Sequence, residues 1–175
     1  MKQIILVAVA FCCIAATSKV APYRVYFPAT CSDSEIEQTM IDSDTKKTPF
    51  KCRAVVLSHL DNGQFLVTFL PSKSGELVLS YVGQKVVQQD YSPLEMPVMA
   101  IIFPNAGGAL VSMEVGSEST CVLDTTTSDI LSLRGVACFA SASNAGQQTS
   151  FSLYSLKAHI IGAGKRVRLK QDSAP

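Results

Sequence analysis

From position 52 onward, apolar and polar residues alternate over short runs, and this pattern predicts strands. The first three runs cover residues 53–60, 64–70 and 76–82. Asp61-Asn62-Gly63 separates the first two, and Asn-Gly between apolar runs is typical of a hairpin turn. Further candidates follow at residues 98–103, 110–115, 120–123, 136–140 and 149–156. Many short strands between turns predict an all-β fold, an antiparallel β-sandwich.

The run 64–70 is apolar on both of its faces. One face carries Phe65, Val67 and Phe69, and the other carries Leu66, Thr68 and Leu70. Because side chains alternate across a strand with period two, each set points to one side of the sheet. The sequence therefore predicts a central strand, or one covered on both sides.

One segment upstream of these runs has a helical pattern. Ser32 and Glu35 fit a capping box, which is a signature of helix N-termini. Ile36, Met40 and Ile41 could share one helix face. The pattern predicts a short helix over residues 33–42, with an acidic loop tethered by Cys31 as the alternative.

The N-terminus has the layout of a secretory signal peptide. Lys2 precedes an unbroken apolar run over residues 4–16, and small residues follow it. The run is shorter than the roughly 20 residues that a membrane span needs. No comparable apolar run follows, and the C-terminus is polar. We therefore expect residues 1–18 to be removed and the product to be secreted and extracellular, without a stable membrane anchor.

Cleavage leaves a chain of single-domain length. We expect a β-sandwich module over residues 19–97. Residues 98–164 are β-rich and either complete that sandwich or form a partial second module. Residues 165–175 are expected to be a basic flexible tail.

The cysteines support the prediction of export. Two of the six, Cys12 and Cys13, lie in the signal peptide. An even number in the mature part of an exported chain predicts disulfides. Three pairings are open, and we favour the two local ones because each closes a short loop. A zinc site is disfavoured because CxxC spacing is missing and only two histidines are present. The mature cysteines are Cys31, Cys52, Cys121 and Cys138.

Part of the chain resembles a known family. The stretch from Asp61-Asn62-Gly63 to Pro71, continuing from Gly75 to Gly83, resembles the later strands of a filamin-type immunoglobulin-like repeat. Ser92-Pro93 is similar to the pair that commonly begins the last strand of that family, and residues 145–153 are similar to the start of a repeat. The resemblance is clear over about residues 50–95 and weaker near 145–156. It implies an immunoglobulin-like sandwich that binds peptides or partners by strand addition at a sheet edge.

The charge pattern suggests one binding site. The net charge is only +1 and tryptophan is absent, so we expect no nucleic-acid partner. Four cations are clustered near the C-terminus and could bind an acidic glycan or protein; the alternative is a solubilising tail. These candidate binding residues are Lys165, Arg166, Arg168 and Lys170.

No pattern indicates catalysis, a metal or a cofactor. His59 and His159 are the only histidines, and no GxSxG motif accompanies them. Residues 162–165 resemble a phosphate-binding loop only accidentally, because the longer motif is missing. The acidic residues between 33 and 44 lack the spacing of a calcium loop. We expect no enzymatic activity and assign no catalytic residue.

The sequence thus favours a secreted, non-enzymatic binding module that recognises a protein or glycan. The alternative is a secreted carrier whose β-sheet encloses a small apolar ligand. Both hypotheses assume a disulfide-bonded β-scaffold that offers a binding surface and has no catalytic centre.

Overall fold

A computed structural model describes residues 22–39, 44–84, 87–88, 93–104, 107–127, 129–144 and 150–168. The predicted signal peptide, Ser92 and Lys170 lie outside these residues. In chain order the strands are β1 (Tyr23–Cys31), β2 (Glu35–Thr39), β3 (Lys46–Pro49), β4 (Cys52–His59), β5 (Phe65–Pro71), β6 (Leu79–Gly83), β7 (Val87–Gln88), β8 (Leu94–Pro104), β9 (Leu110–Glu114), β10 (Thr120–Thr125), β11 (Leu133–Asn144), β12 (Ser150–Ile160) and β13 (Lys165–Arg168). A 3-10 helix, Ile130–Ser132, precedes β11. No helix in the described part of the chain is long and apolar enough to cross a bilayer.

Eight antiparallel strands form a closed barrel. They follow the order β1-β4-β5-β6-β8-β10-β11-β12, and β12 returns to β1 through the pairs Ala29↔Ile160 and Cys31↔Ala158. The prediction of an immunoglobulin-like β-sandwich is therefore wrong. A sandwich is built from two separate sheets with free edges. Here β1 pairs with β4 along one edge and with β12 along the other, so the sheet closes on itself.

Strand β8 runs across the boundary between the predicted module over residues 19–97 and the β-rich segment over residues 98–164. Its first part pairs with β10 and its second part pairs with β6. The remaining strands extend the barrel wall: β7 and β9 pair with β8, β2 and β3 extend from β12, and β13 extends from β1. The barrel thus contains strands from both sides of that boundary.

Strand β5 shows how side chains fill the barrel. Val67 and Phe69 point inward and are almost fully buried. Leu66, Thr68 and Leu70 point outward and are half-buried. The inward set across the barrel is a continuous core, and its largest fully buried members include Phe27, Phe69, Leu79, Tyr81, Met96, Ile101, Leu123 and Leu156. The predicted two-sided apolar character of this strand corresponds to one packed side and one half-buried side.

Within the segment predicted as a helix, residues 35–39 instead form β2, so this prediction is also wrong; residues 40–42 lie outside the described part of the chain. Ile36 points inward opposite Tyr154, whereas Glu35 and Glu37 point outward and both form ion pairs with Lys47 on β3. This alternation is that of a strand held between β12 and β3.

A serine between the two residues of the predicted capping box bonds to another strand. Ser34 is buried, and its hydroxyl accepts a hydrogen bond from the Lys157 N–H at 2.8 Å and donates one to the Lys157 carbonyl at 3.0 Å. Residues 31–34 are thereby held against β12. This long-range contact is thus made by a residue within the segment whose local pattern predicted a helix.

Tyr81 gives a prediction about alkaline stability. Burial, and then the nearby Tyr154, raise the pKa of Tyr81 well above its usual value of 10.0. In the unfolded chain this phenol ionises near its usual pKa, whereas the folded state keeps its proton. The contribution of this phenol to the free energy of unfolding should therefore be fully present below pH 10.0. It should be lost as the pH rises towards the folded-state pKa.

Urea unfolding measured from about pH 8 to about pH 11 would reveal this loss. Tyr81→Phe should make the alkaline limb shallower, although it also removes the hydrogen bond from the phenol to the Tyr154 carbonyl at 3.3 Å. An alkaline limb of equal steepness in both proteins would contradict the assignment.

Candidate functional site

Four residues of the predicted basic tail form a strand on the barrel wall. Strand β13 runs antiparallel to the start of β1, with Tyr23 opposite Arg168 and Tyr26 opposite Lys165. We call the group Arg24, Lys165 and Arg166 the basic seam, because these cations lie where β1 meets β13. The pairing therefore fixes the positions of these cations along the edge strand β13.

The chain reaches this position through a close contact with β1. The Ile161 N–H donates to the Pro28 carbonyl at 3.0 Å. At Gly164, a Cβ atom would lie 2.4 Å from Cε1 of Phe27, which is fully buried. Only glycine lets the backbone approach the core this closely before β13 begins.

The basic seam has exposed cations beside aromatic rings. Arg24, Lys165 and Arg166 are all exposed. The guanidinium carbon of Arg166 lies 4.4 Å from the centre of the Tyr23 ring, in a cation–π contact. None of the three cations forms an ion pair within the described residues. Their charges are therefore available to an anionic partner.

Arg24 was missed in the sequence reasoning. It lies far from the C-terminal cluster in the chain, and only the register Arg24↔Val167 brings it alongside. Lys165, Arg166 and Arg168 are positioned by β13, although the structure describes only the backbone at Arg168. Lys170 lies beyond the described residues.

His59 supports the seam by ring stacking. Its ring lies 5.6 Å from that of Tyr23, with 25° between their planes, and 4.7 Å from that of Phe65. Its Nδ1 atom is buried without a hydrogen-bond partner in the described part of the chain. The rings therefore form a ladder from Phe65 to Tyr23, and Arg166 lies on its outer end.

The second histidine is far from the first. His159 pairs with Thr30 on β1, whereas His59 pairs with Tyr23. Seven residues along a strand span about 23 Å, so the two imidazoles do not act together. Among the described residues no group of three histidine, cysteine, aspartate or glutamate side chains could hold a metal ion. The glycines before Lys165 lead into a strand, not a helix, so they do not form a phosphate-binding loop.

Both disulfides favoured by the sequence are present. Cys31 is bonded to Cys52, with Cα atoms 5.0 Å apart. Cys121 and Cys138 are directly opposite on β10 and β11, with Cα atoms 4.0 Å apart. Two disulfides are compatible with an extracellular protein.

Comparison with known proteins gives no relative. No protein-family model matches the chain, and neither the curated proteins nor the solved structures provide a match.

Proposed function

We propose that this protein is exported and that it binds an anionic glycan at the basic seam without catalysing a reaction. The observation that carries the proposal is the set of three exposed cations, on two paired strands, that lack ion-pair partners within the described residues. By the alternation of side chains, Arg24 and Lys165 lie on the outer face of the sheet and Arg166 lies on the other face, beside Tyr23, so positive charge flanks both sides of the edge strand β13. Sulfate and carboxylate groups are the complementary ligands.

The side chains at the seam also suit a sugar chain. Arginine can donate two parallel hydrogen bonds to an oxyanion, and Arg24 and Arg166 supply two such groups. Tyr26 is 38% exposed and lies opposite Lys165, so an amphipathic ring is available beside the charge. Because the net charge of the whole chain is only +1, retention on an anionic polymer would reflect this local cluster rather than the global charge.

Heparin affinity chromatography tests the proposal. The variant Arg24→Gln/Lys165→Gln/Arg166→Gln should elute at a clearly lower salt concentration than the unaltered protein. The log–log salt dependence of binding should fall by up to about one unit for each cation removed, because fewer counterions are exchanged.

A matched control removes the same charges elsewhere. Arg53, Arg134 and Lys157 are also exposed, and changing all three to Gln lowers the net charge equally. Their loss should leave elution nearly unchanged. Equal shifts for both triple variants, or retention on polyglutamate but not on heparin, would overturn the glycan proposal.

The carrier hypothesis needs a site outside the barrel core. Phe27, Phe69 and Tyr81 are among the fully buried side chains that fill the barrel interior. An apolar ligand enclosed by the sheet would have to displace this packed core, which is costly in a close-packed interior. One cleft at the end of the barrel offers a different place for a small ligand.

A further inference from the structure

The cleft lies between the β2–β3 hairpin and the loop that joins β5 to β6. It has a volume of about 590 Å³, which is within the range of small-molecule sites. It is at the end of the barrel where β1 finishes and β4 starts, so the length of β1 separates it from the basic seam. A ligand here would be independent of a glycan at the seam.

A hydrogen bond joins the two walls of the cleft, and a disulfide lies beside it. On one wall, the Phe50 N–H donates to the Ser34 carbonyl at 2.8 Å. Across the cleft, the Ser72 N–H donates to the Lys51 carbonyl at 3.0 Å. The Cys31–Cys52 disulfide lies directly after Lys51 in the chain. The walls therefore keep their spacing without a ligand, and binding costs little ordering of the chain.

The floor of the cleft is apolar. Ile36 and Phe50 are each 8% exposed, and Leu77 on the opposite wall is half-buried. These three side chains are the apolar residues that line the cleft together with Pro49. Burial of apolar surface would be the main source of affinity for such a chain.

The rim of the cleft has an excess of positive charge. Lys51 and Lys73 are exposed and line the cleft, and neither forms an ion pair within the described residues. Glu76 is the acidic residue that lines the cleft, and its carboxylate accepts a hydrogen bond from the Lys73 backbone N–H at 3.4 Å. Two lysines against one carboxylate leave a net positive charge beside an apolar floor.

We propose that this cleft binds a free, single-chain amphipathic anion, such as a fatty-acid-like carboxylate. The hydrocarbon chain packs on Ile36, Phe50 and Leu77. The carboxylate lies at the rim of the cleft, where the ammonium groups of Lys51 and Lys73 neutralise its charge. The same two walls hold both the apolar surface and the lysines in place.

Calorimetric titration with decanoate below its micelle concentration tests this site, and decan-1-ol serves as the neutral analogue. Decanoate should bind saturably to one site. Lys51→Met and Lys73→Met should each weaken decanoate binding by about two- to fivefold, the range of an exposed ion pair, without changing decanol binding. Leu77→Asp should weaken the binding of both probes.

Lys46→Met is the matched control, because Lys46 is an exposed lysine on the same hairpin and does not line the cleft. It should leave decanoate binding unchanged. All three lysines are exposed, so their replacement should not disturb folding. Non-saturable decanoate uptake, or equal weakening by Lys46→Met and Lys73→Met, would overturn the proposal.

Discussion

Replacing Phe69 by alanine is expected to destabilise the barrel by about 3–5 kcal/mol. Phe69 is fully buried on β5, between Val55 on β4 and Leu79 on β6, and its ring packs edge-on against Tyr81 at 5.8 Å between centres. Truncation removes the transfer free energy of the ring and leaves a cavity that paired strands on both sides cannot close. Such a loss is a large part of the usual stability of a single domain.

Chemical denaturation measures this effect. Thr68→Ala changes the adjacent residue on the outer surface of the same strand and should cost far less, because Thr68 is only half-buried. If the alanine variant does not fold, Phe69→Leu should still show a smaller loss in the same direction. A Phe69→Ala variant as stable as Thr68→Ala would contradict the position of this ring in the barrel core.

Removing one disulfide is the second change with a large expected effect. Loss of the Cys121–Cys138 bridge through Cys121→Ala/Cys138→Ala should cost on the order of 3 kcal/mol, because the unfolded chain regains the freedom of a closed loop. Alanine avoids placing hydroxyl groups in the core, where Cys121 is 0% exposed and Cys138 is 2% exposed. The Cys31–Cys52 bridge closes a loop of similar length, with sequence separations of 21 and 17, so its removal should cost a similar amount.

The two bridges should differ in their rate of reduction. Cys31 is half-buried, whereas both partners of the Cys121–Cys138 bridge are fully within the core. Thiol–disulfide exchange requires access to a sulfur atom, so Cys31–Cys52 should be reduced first in the folded protein. Alkylation followed by peptide mass spectrometry would report the order. Simultaneous reduction without unfolding, or an unchanged melting temperature in reductant, would argue against this account.

Local features of the chain were predictable from the sequence. Gly63 has a positive φ of 80° at the turn between β4 and β5, as expected from the Asn-Gly pair. The strands that flank it, and the two disulfides, follow from alternation and from cysteine spacing. These features depend on residues close in the chain, so a single sequence contains enough information to place them.

Long-range pairing was not predictable in the same way. A sandwich and a barrel require the same alternation in each strand, and they differ in which strands pair. Where a helix was predicted, residues 35–39 form β2 because Ile36 is held between two partner strands. Arg24 joined the basic seam only through its register with β13. In each case the outcome depends on a strand that pairs with the segment but lies far from it in the sequence.

Barrel closure also sets when the protein can fold during synthesis. The pairs that close the barrel join residues 29–31 to residues 158–160, so β1 cannot complete its pairing until β12 has been made. Topologies dominated by such distant contacts fold slowly, since chain entropy is lost before the contacts form. The nascent chain should therefore expose unpaired edges of β1 and β12 until residues 158–160 have been synthesised, and it should be prone to aggregation during that interval.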